Sequence, residues 1–194
     1  MVIRIRRQFV PVLIPNAGLR RVQDEENRRM PSVDHSVSDT YYQSSNESCW
    51  YAAYCVLFDW RGKPTSAIRE RIEKAGLDYA DFWRNGLPVE KYNDVRWCLG
   101  LSGFRRAYFG QLVDDLDYFG KVLNDYGPFW CDFSVPGEHI VVVHGVDVDK
   151  EQIKVMNPWS DGGSSAQKQK YSPGEFKRRL GSKDLRAAAQ MWVA

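Results

Sequence analysis

The chain has 194 residues, 43% of them hydrophobic and 13% aromatic, enough for one packed domain and too much for a disordered or low-complexity protein. Its 27 basic and 25 acidic side chains leave a net charge of +2, too small to argue for nucleic acid. The longest apolar run, Cys49 to Phe58, falls well short of the ~18 residues that a membrane helix needs.

In chain order, residues 1–40 read as a basic N-terminal extension or linker, because residues 1–30 hold seven arginines against three acids and show no sustained periodicity. Pro11 and Pro15 interrupt the early apolar stretch, so no cleavable signal is expected. The folded domain is expected over 41–194. An apolar helix is predicted at 48–60, and an amphipathic one at 65–75 between Pro64 and Gly76. A third starts beside Pro88 and runs over 88–99, and a fourth carries Val113, Leu116, Phe119, Val122, Leu123 and Tyr126 up to Gly127. Strands follow at 129–133, 139–148 and 152–156, rich in β-branched and aromatic residues. Helices first and strands second favour an α+β fold over alternating βαβ units.

The chemistry concentrates where a polar loop, Gln43-Ser-Ser-Asn-Glu-Ser48, runs into an apolar helix opening with Cys49-Trp50. Unpaired N–H groups and the positive end of the helix dipole favour a thiolate at that first turn. Gln43 is placed to fold back and, with the Cys49 N–H, to donate to an oxyanion. His139 opens a strand after Pro136-Gly-Glu, and Asn157 ends the next strand of the same hairpin, where it can hold the imidazole. Trp159 is expected to shield that bond from water. Of the other histidines, His35 falls in the polar head and reads as a surface residue. His144, at an odd offset from His139, reads as a satisfied or exposed histidine on the opposite face. Cys55, Cys98 and Cys131 read as buried structural thiols. Four cysteines without a C-x-x-C pair or His/Cys cluster suggest neither a disulfide scaffold nor a structural metal.

Gln43-x5-Cys49-Trp50, His139 followed by an aliphatic run to Gly145, and Asn157-Pro158-Trp159 resemble the papain superfamily, in the same chain order. Within it, Cys49-Trp-Tyr-Ala and the compact spacing from His139 to Asn157-Pro158 look most like the bacterial avirulence-type (AvrRpt-type) effector proteases. The resemblance implies a papain-like catalytic domain over 41–194, with the helix of Cys49 packed on a C-terminal antiparallel sheet. It also implies a closing helix around Phe176 to Leu180 and a final strand. It carries over Cys49 as nucleophile, His139 as general base and acid, Gln43 as oxyanion donor and Asn157 as orienter, with Trp50 and Trp159 in support and no metal or organic cofactor. Asn157 stands where the effector relatives usually have Asp, and Asn46 where papain has a disulfide cysteine. The implied partner is a protein substrate in a host or competitor cell, with a cognate inhibitor or immunity protein as a further partner and neither nucleic acid nor a membrane span. The implied role is that of a secreted bacterial effector or toxin domain, passed by a delivery system without a cleavable signal peptide into a target-cell cytoplasm; the alternative is a cytoplasmic protein. Two other readings remain open: a transglutaminase-like acyltransferase or deamidase, and a peptidase module of bacteriocin-exporter type.

Overall fold

The computed structural model describes residues 32–104, 111–134, 138–160, 163–180 and 189–192. Helix α1 (Cys49–Trp60) has nine buried residues among its twelve, an all-round apolar helix that can exist only inside the core. Helices α2 (Ser66–Lys74), α3 (Tyr79–Asn85) and α4 (Tyr92–Leu99) surround it. The helix predicted at 88–99 begins instead as a 3-10 turn, Val89–Lys91, because Pro88 holds an extended ψ of 143° just before it. After strand β2 (Leu101–Phe104) comes α5 (Leu116–Tyr126). It starts later than the sequence periodicity suggested, because the Asp115 side chain accepts the Tyr118 N–H and sets the first turn there.

Strands β3 (Phe129–Phe133), β4 (His139–Asp147), β5 (Gln152–Asn157), β6 (Gln167–Tyr171) and β7 (Ala189–Trp192) complete, with a short β1 (Val33–Asp34), a seven-stranded sheet. The order is β2-β7-β3-β4-β5-β6, every described pair is antiparallel, and helix α6 (Pro173–Leu180) lies between β6 and β7 in the chain. Alternation along the strands builds two cores. Trp130, Ile140, Val142, Met156 and Trp192 meet Trp50, Tyr54, Leu57 and Phe58 of α1, whereas Phe129, Cys131, Val141, Val143 and Val155 meet Phe119 of α5 and Phe176 of α6. The α+β expectation holds, with α5 and α6 covering the second face.

The expected head at 1–40 gives its last residues to this fold. Val33 and Asp34 pair with Val146 and Gly145, the His35 N–H donates to the His144 carbonyl, Val37 is buried, and the Asp39 carbonyl accepts the Ala166 N–H at 2.8 Å. Residues 33–43 thus form a strap from β4 past β6 to the end of β5. Only glycine fits at 145, since a Cβ there would stand 2.6 Å from the Val33 carbonyl oxygen. His35 is not the surface histidine that its polar surroundings suggested: its Nε2–H donates to the Leu123 carbonyl at 2.8 Å and its ring meets Trp60 edge-on. The remainder of the head, 1–31, lies outside the described residues.

Candidate active site

The loop before α1 is closed on the Ser45 carbonyl. That oxygen accepts the Ser48 hydroxyl at 3.1 Å, the Ser48 N–H at 3.2 Å and the Gln43 side-chain amide at 3.1 Å. Ser48 is the N-cap residue of α1 by position, yet its hydroxyl makes no capping bond to the helix. The first-turn N–H groups are therefore left to the site. One of them, from Trp50, faces the Cys49 sulfur, and so does the Ile140 N–H of β4, both favouring its thiolate. Cys49 thus lies against the strand residue that directly follows His139. The opening is provided by the sheet itself: among the described residues β5 pairs with β4 only from Val142 onward, so the first turn of α1 meets β4 at its start.

His139 Nε2 lies 2.7 Å from Asn157 Oδ1, and that oxygen also accepts the Trp159 backbone N–H at 2.9 Å. A backbone N–H can only donate, so the Asn157 atom between them is the carbonyl oxygen, and His139 must present Nε2–H to it. Nδ1 is then the basic nitrogen of the neutral ring. Gln43 reaches the same place from the strap: its N–H donates to the Pro158 carbonyl at 2.9 Å, and its side chain is only 7% exposed. Its Oε1 has no hydrogen-bond partner among the described residues.

Electrostatics here are set mainly by burial. It pushes the Cys49 thiol up, and the charges of Glu47 and Asp132 add to the rise while the Ile140 and Trp50 N–H groups oppose it. The helix terminus does favour the thiolate, as expected from the sequence, but burial outweighs it. Burial also holds His139 below the usual imidazole range, against the bond to Asn157, so the ring is neutral and able to take a proton at pH 7. Tyr92 is likewise pushed up by burial, and the charges of Asp132, Cys49 and Glu138 add to the rise.

Four of the six residues expected from the sequence, Cys49, His139, Asn157 and Gln43, are brought to one place. Trp50 points elsewhere: buried to 1%, it donates Nε1–H to the Phe82 carbonyl and ties α1 to α3. Trp159 contributes its backbone N–H, while its indole is 41% exposed. His144 lies on the opposite side of the sheet and is only half satisfied: Nδ1 is 3.2 Å from the His35 carbonyl and 3.3 Å from Asp34 Oδ1, at the point where the β4–β5 register shifts, while Nε2 is buried without a partner among the described residues. Cys55 and Cys131 are buried, but Cys98 is only half-buried, its thiol turned to the Val95 carbonyl beside a Trp97 that is 78% exposed. Unforeseen were the Ile140 N–H and the side chains behind Asn157 on β6, of which the alternation Gln167-Lys-Gln-Lys-Tyr171 was the only sign.

Residues 33–175 match the family described as papain-like cysteine protease AvrRpt2, well over half of the chain. This chain belongs to that family of papain-like cysteine proteases. It is an α+β cysteine peptidase by family and by fold. Among solved structures, a double glycine motif protease from an AMS/PCAT transporter, in complex with its leader peptide, is similar at a TM-score of 0.50 and 16% identity. The likeness covers 84% of this chain and 96% of that one, and it concerns the fold. No curated protein matches. Among the described residues of this AvrRpt2-family protease, no helix is long and apolar enough to cross a membrane.

Proposed function

We propose that the protein is an endopeptidase that cuts a target protein through a Cys49-His139-Asn157 triad, with Gln43 as oxyanion donor. The observation that carries this reading is the pair of contacts joining α1 to the hairpin: Ile140 N–H to the Cys49 sulfur, and His139 Nε2–H to Asn157. In the reaction, His139 Nδ1 takes the Cys49 proton as the sulfur attacks a peptide carbonyl carbon. The negative oxygen that forms is held by the Cys49 N–H and by the second N–H of the Gln43 amide, whose first is on Ser45. Collapse of the tetrahedral intermediate breaks the C–N bond, and His139 gives its proton to the leaving amine. A water molecule, deprotonated by His139, then attacks the thioester and releases the new carboxylate and the Cys49 thiol.

The neutral Asn157 orients the ring without adding a full charge, which fits a histidine already kept neutral by burial. Following the AvrRpt2 family, we further propose that the protease acts as a bacterial effector, delivered to the cytoplasm of another cell. The test is cleavage of a diverse peptide library by the wild type and by Cys49→Ala, with each cut site sequenced. The reading requires discrete cuts from the wild type and none from a folded Cys49→Ala protein. Cuts that persist in the variant, or transfer to an added amine without hydrolysis, would defeat it.

A further inference from the structure

The Asn157 side chain is held from behind as well as from the front. Its Nδ2 donates to Gln169 Oε1 at 3.4 Å, the same Oε1 accepts the Tyr171 hydroxyl, and Gln169 Nε2 donates to Gln167 Oε1 at 3.0 Å. Asn157 pairs with Gln167 across the β5–β6 register, and Gln167, Gln169 and Tyr171 alternate onto one face of β6. The ring of Tyr171 is fixed in turn, buried between Phe133 and the Arg179 guanidinium 4.5 Å above it.

Donor and acceptor directions in this chain agree from its two ends, the Trp159 N–H at the front and the Tyr171 hydroxyl at the back. The Trp159 backbone N–H makes the facing Asn157 atom an oxygen, so the other Asn157 atom is the NH₂. Gln169 must then turn its oxygen to Asn157, which suits the Tyr171 hydroxyl and leaves the Gln169 amide nitrogen for Gln167. A carboxylate at 157 would place its second oxygen against Gln169 Oε1, acceptor against acceptor. Turning the Gln169 amide over to relieve this would set its oxygen against Gln167 Oε1 and force the Tyr171 hydroxyl from donor to acceptor.

We propose, on the peptidase reading above, that Gln169 is a positioning residue. Its Oε1 locks the Asn157 amide with the oxygen toward His139, keeps His139 in the Nε2–H tautomer with Nδ1 free as base, and makes position 157 selective for an amide over a carboxylate. Two readouts test it. The first is the ¹⁵N shifts of His139 in the resting protein, which report the tautomer without any substrate. The wild type shows the Nε2–H form, Gln169→Leu shows a mixture, and Gln169→Glu, whose carboxylate still accepts from Asn157, restores the single form. The second is a double-mutant cycle on peptide cleavage, with thermal unfolding confirming that each variant folds. Gln169→Leu lowers kcat about tenfold, the worth of one hydrogen bond, with KM within about twofold. Asn157→Asp costs more than about tenfold in the native background and less than about threefold beside Gln169→Leu, because the opposing acceptor is gone. An unchanged tautomer in Gln169→Leu, or an Asn157→Asp penalty equal in both backgrounds, overturns the assignment. Failure of the peptidase reading looks different: the wild type would cleave nothing, while the tautomer would still judge Gln169.

Discussion

Replacing Gln43 by alanine separates what this site costs the fold from what it does in catalysis. Among the described residues the side chain makes one hydrogen bond, to the Ser45 carbonyl at 3.1 Å, and leaves Oε1 unpartnered in a residue only 7% exposed. Losing the bond costs about 0.5–1.5 kcal/mol, and removing a buried unsatisfied carbonyl oxygen returns about 1–3 kcal/mol. The two nearly cancel or favour the variant. With roughly 2–4 °C per kcal/mol for a chain of this size, Gln43→Ala should melt within about 4 °C of the wild type, or above it. Loss of one oxyanion donor should nevertheless lower kcat by roughly 10²–10³, equivalent to about 2.7–4 kcal/mol, with little change in KM. The assay is steady-state cleavage of one fluorogenic peptide alongside thermal unfolding of the same samples. A drop in melting temperature of 10 °C or so would mean that the amide is structural. An effect confined to KM would move Gln43 from the oxyanion to substrate binding.

Iodoacetamide followed by peptide mapping should modify Cys49 ahead of the buried Cys55 and Cys131 and of the half-buried Cys98, because the proposed base His139 would draw the proton from Cys49 and not from the others; equal modification would count against a nucleophile there. His139→Ala should slow cleavage by roughly 10²–10⁴ whereas His144→Ala should leave kcat near the wild-type value, and the opposite pattern would mean that the hairpin has been read in the wrong register. Acid should destabilise the protein. His139 and His144 are both held below the usual imidazole value by burial, so on acidification the unfolded chain takes up protons first, and their contribution, complete well above pH 6.5, is lost as the pH falls through it. Around His144 the charged neighbours are Asp34, Lys154 and Lys168, with the His35 carbonyl on its Nδ1. The melting temperature should therefore drop between pH 7 and pH 5, and less so in His144→Gln; a flat profile would show that both rings charge without cost.

Much of the site could be read in the chain because its parts are local. Cys49 at a helix start, His139 at a strand start and Asn157 at the end of the next strand each follow from short patterns of polar loop, apolar run and hairpin turn. What brings the three together is not local. The contact of Cys49 with the Ile140 N–H depends on β5 leaving the first residues of β4 unpaired, and no periodicity records where two strands part. Residues 33–40 of the strap read as a linker because serines, Asp34 and Asp39 hide two buried valines, Val33 and Val37, and bonds made largely by the backbone. Gln169 is hidden in the sequence for a similar reason: in a strand of alternating glutamine and lysine, a positioning amide has the same composition as a solvated face. The thiolate expected at Cys49 rested on the helix terminus alone, whereas the sulfur's burial is a property of the whole fold.

The place of β7 bears on when, during synthesis, such a protease can become active. Ala189–Trp192 follows every other described element in the chain, yet it lies inside the sheet, paired with β2 on one side and β3 on the other. It also fastens the helix of Cys49: the Tyr54 hydroxyl donates to Gln190 Oε1 at 2.6 Å, and the Trp192 indole N–H to the Leu57 carbonyl at 3.1 Å. A ribosome that has made everything up to α6 has therefore made Cys49, His139 and Asn157, but not the strand that seats α1 against the sheet. Domains fold as units as they emerge, at ~5–20 residues per second, so a nascent chain that stops short of β7 carries the proposed triad of Cys49, His139 and Asn157 in a sheet without the strand that joins β2 to β3.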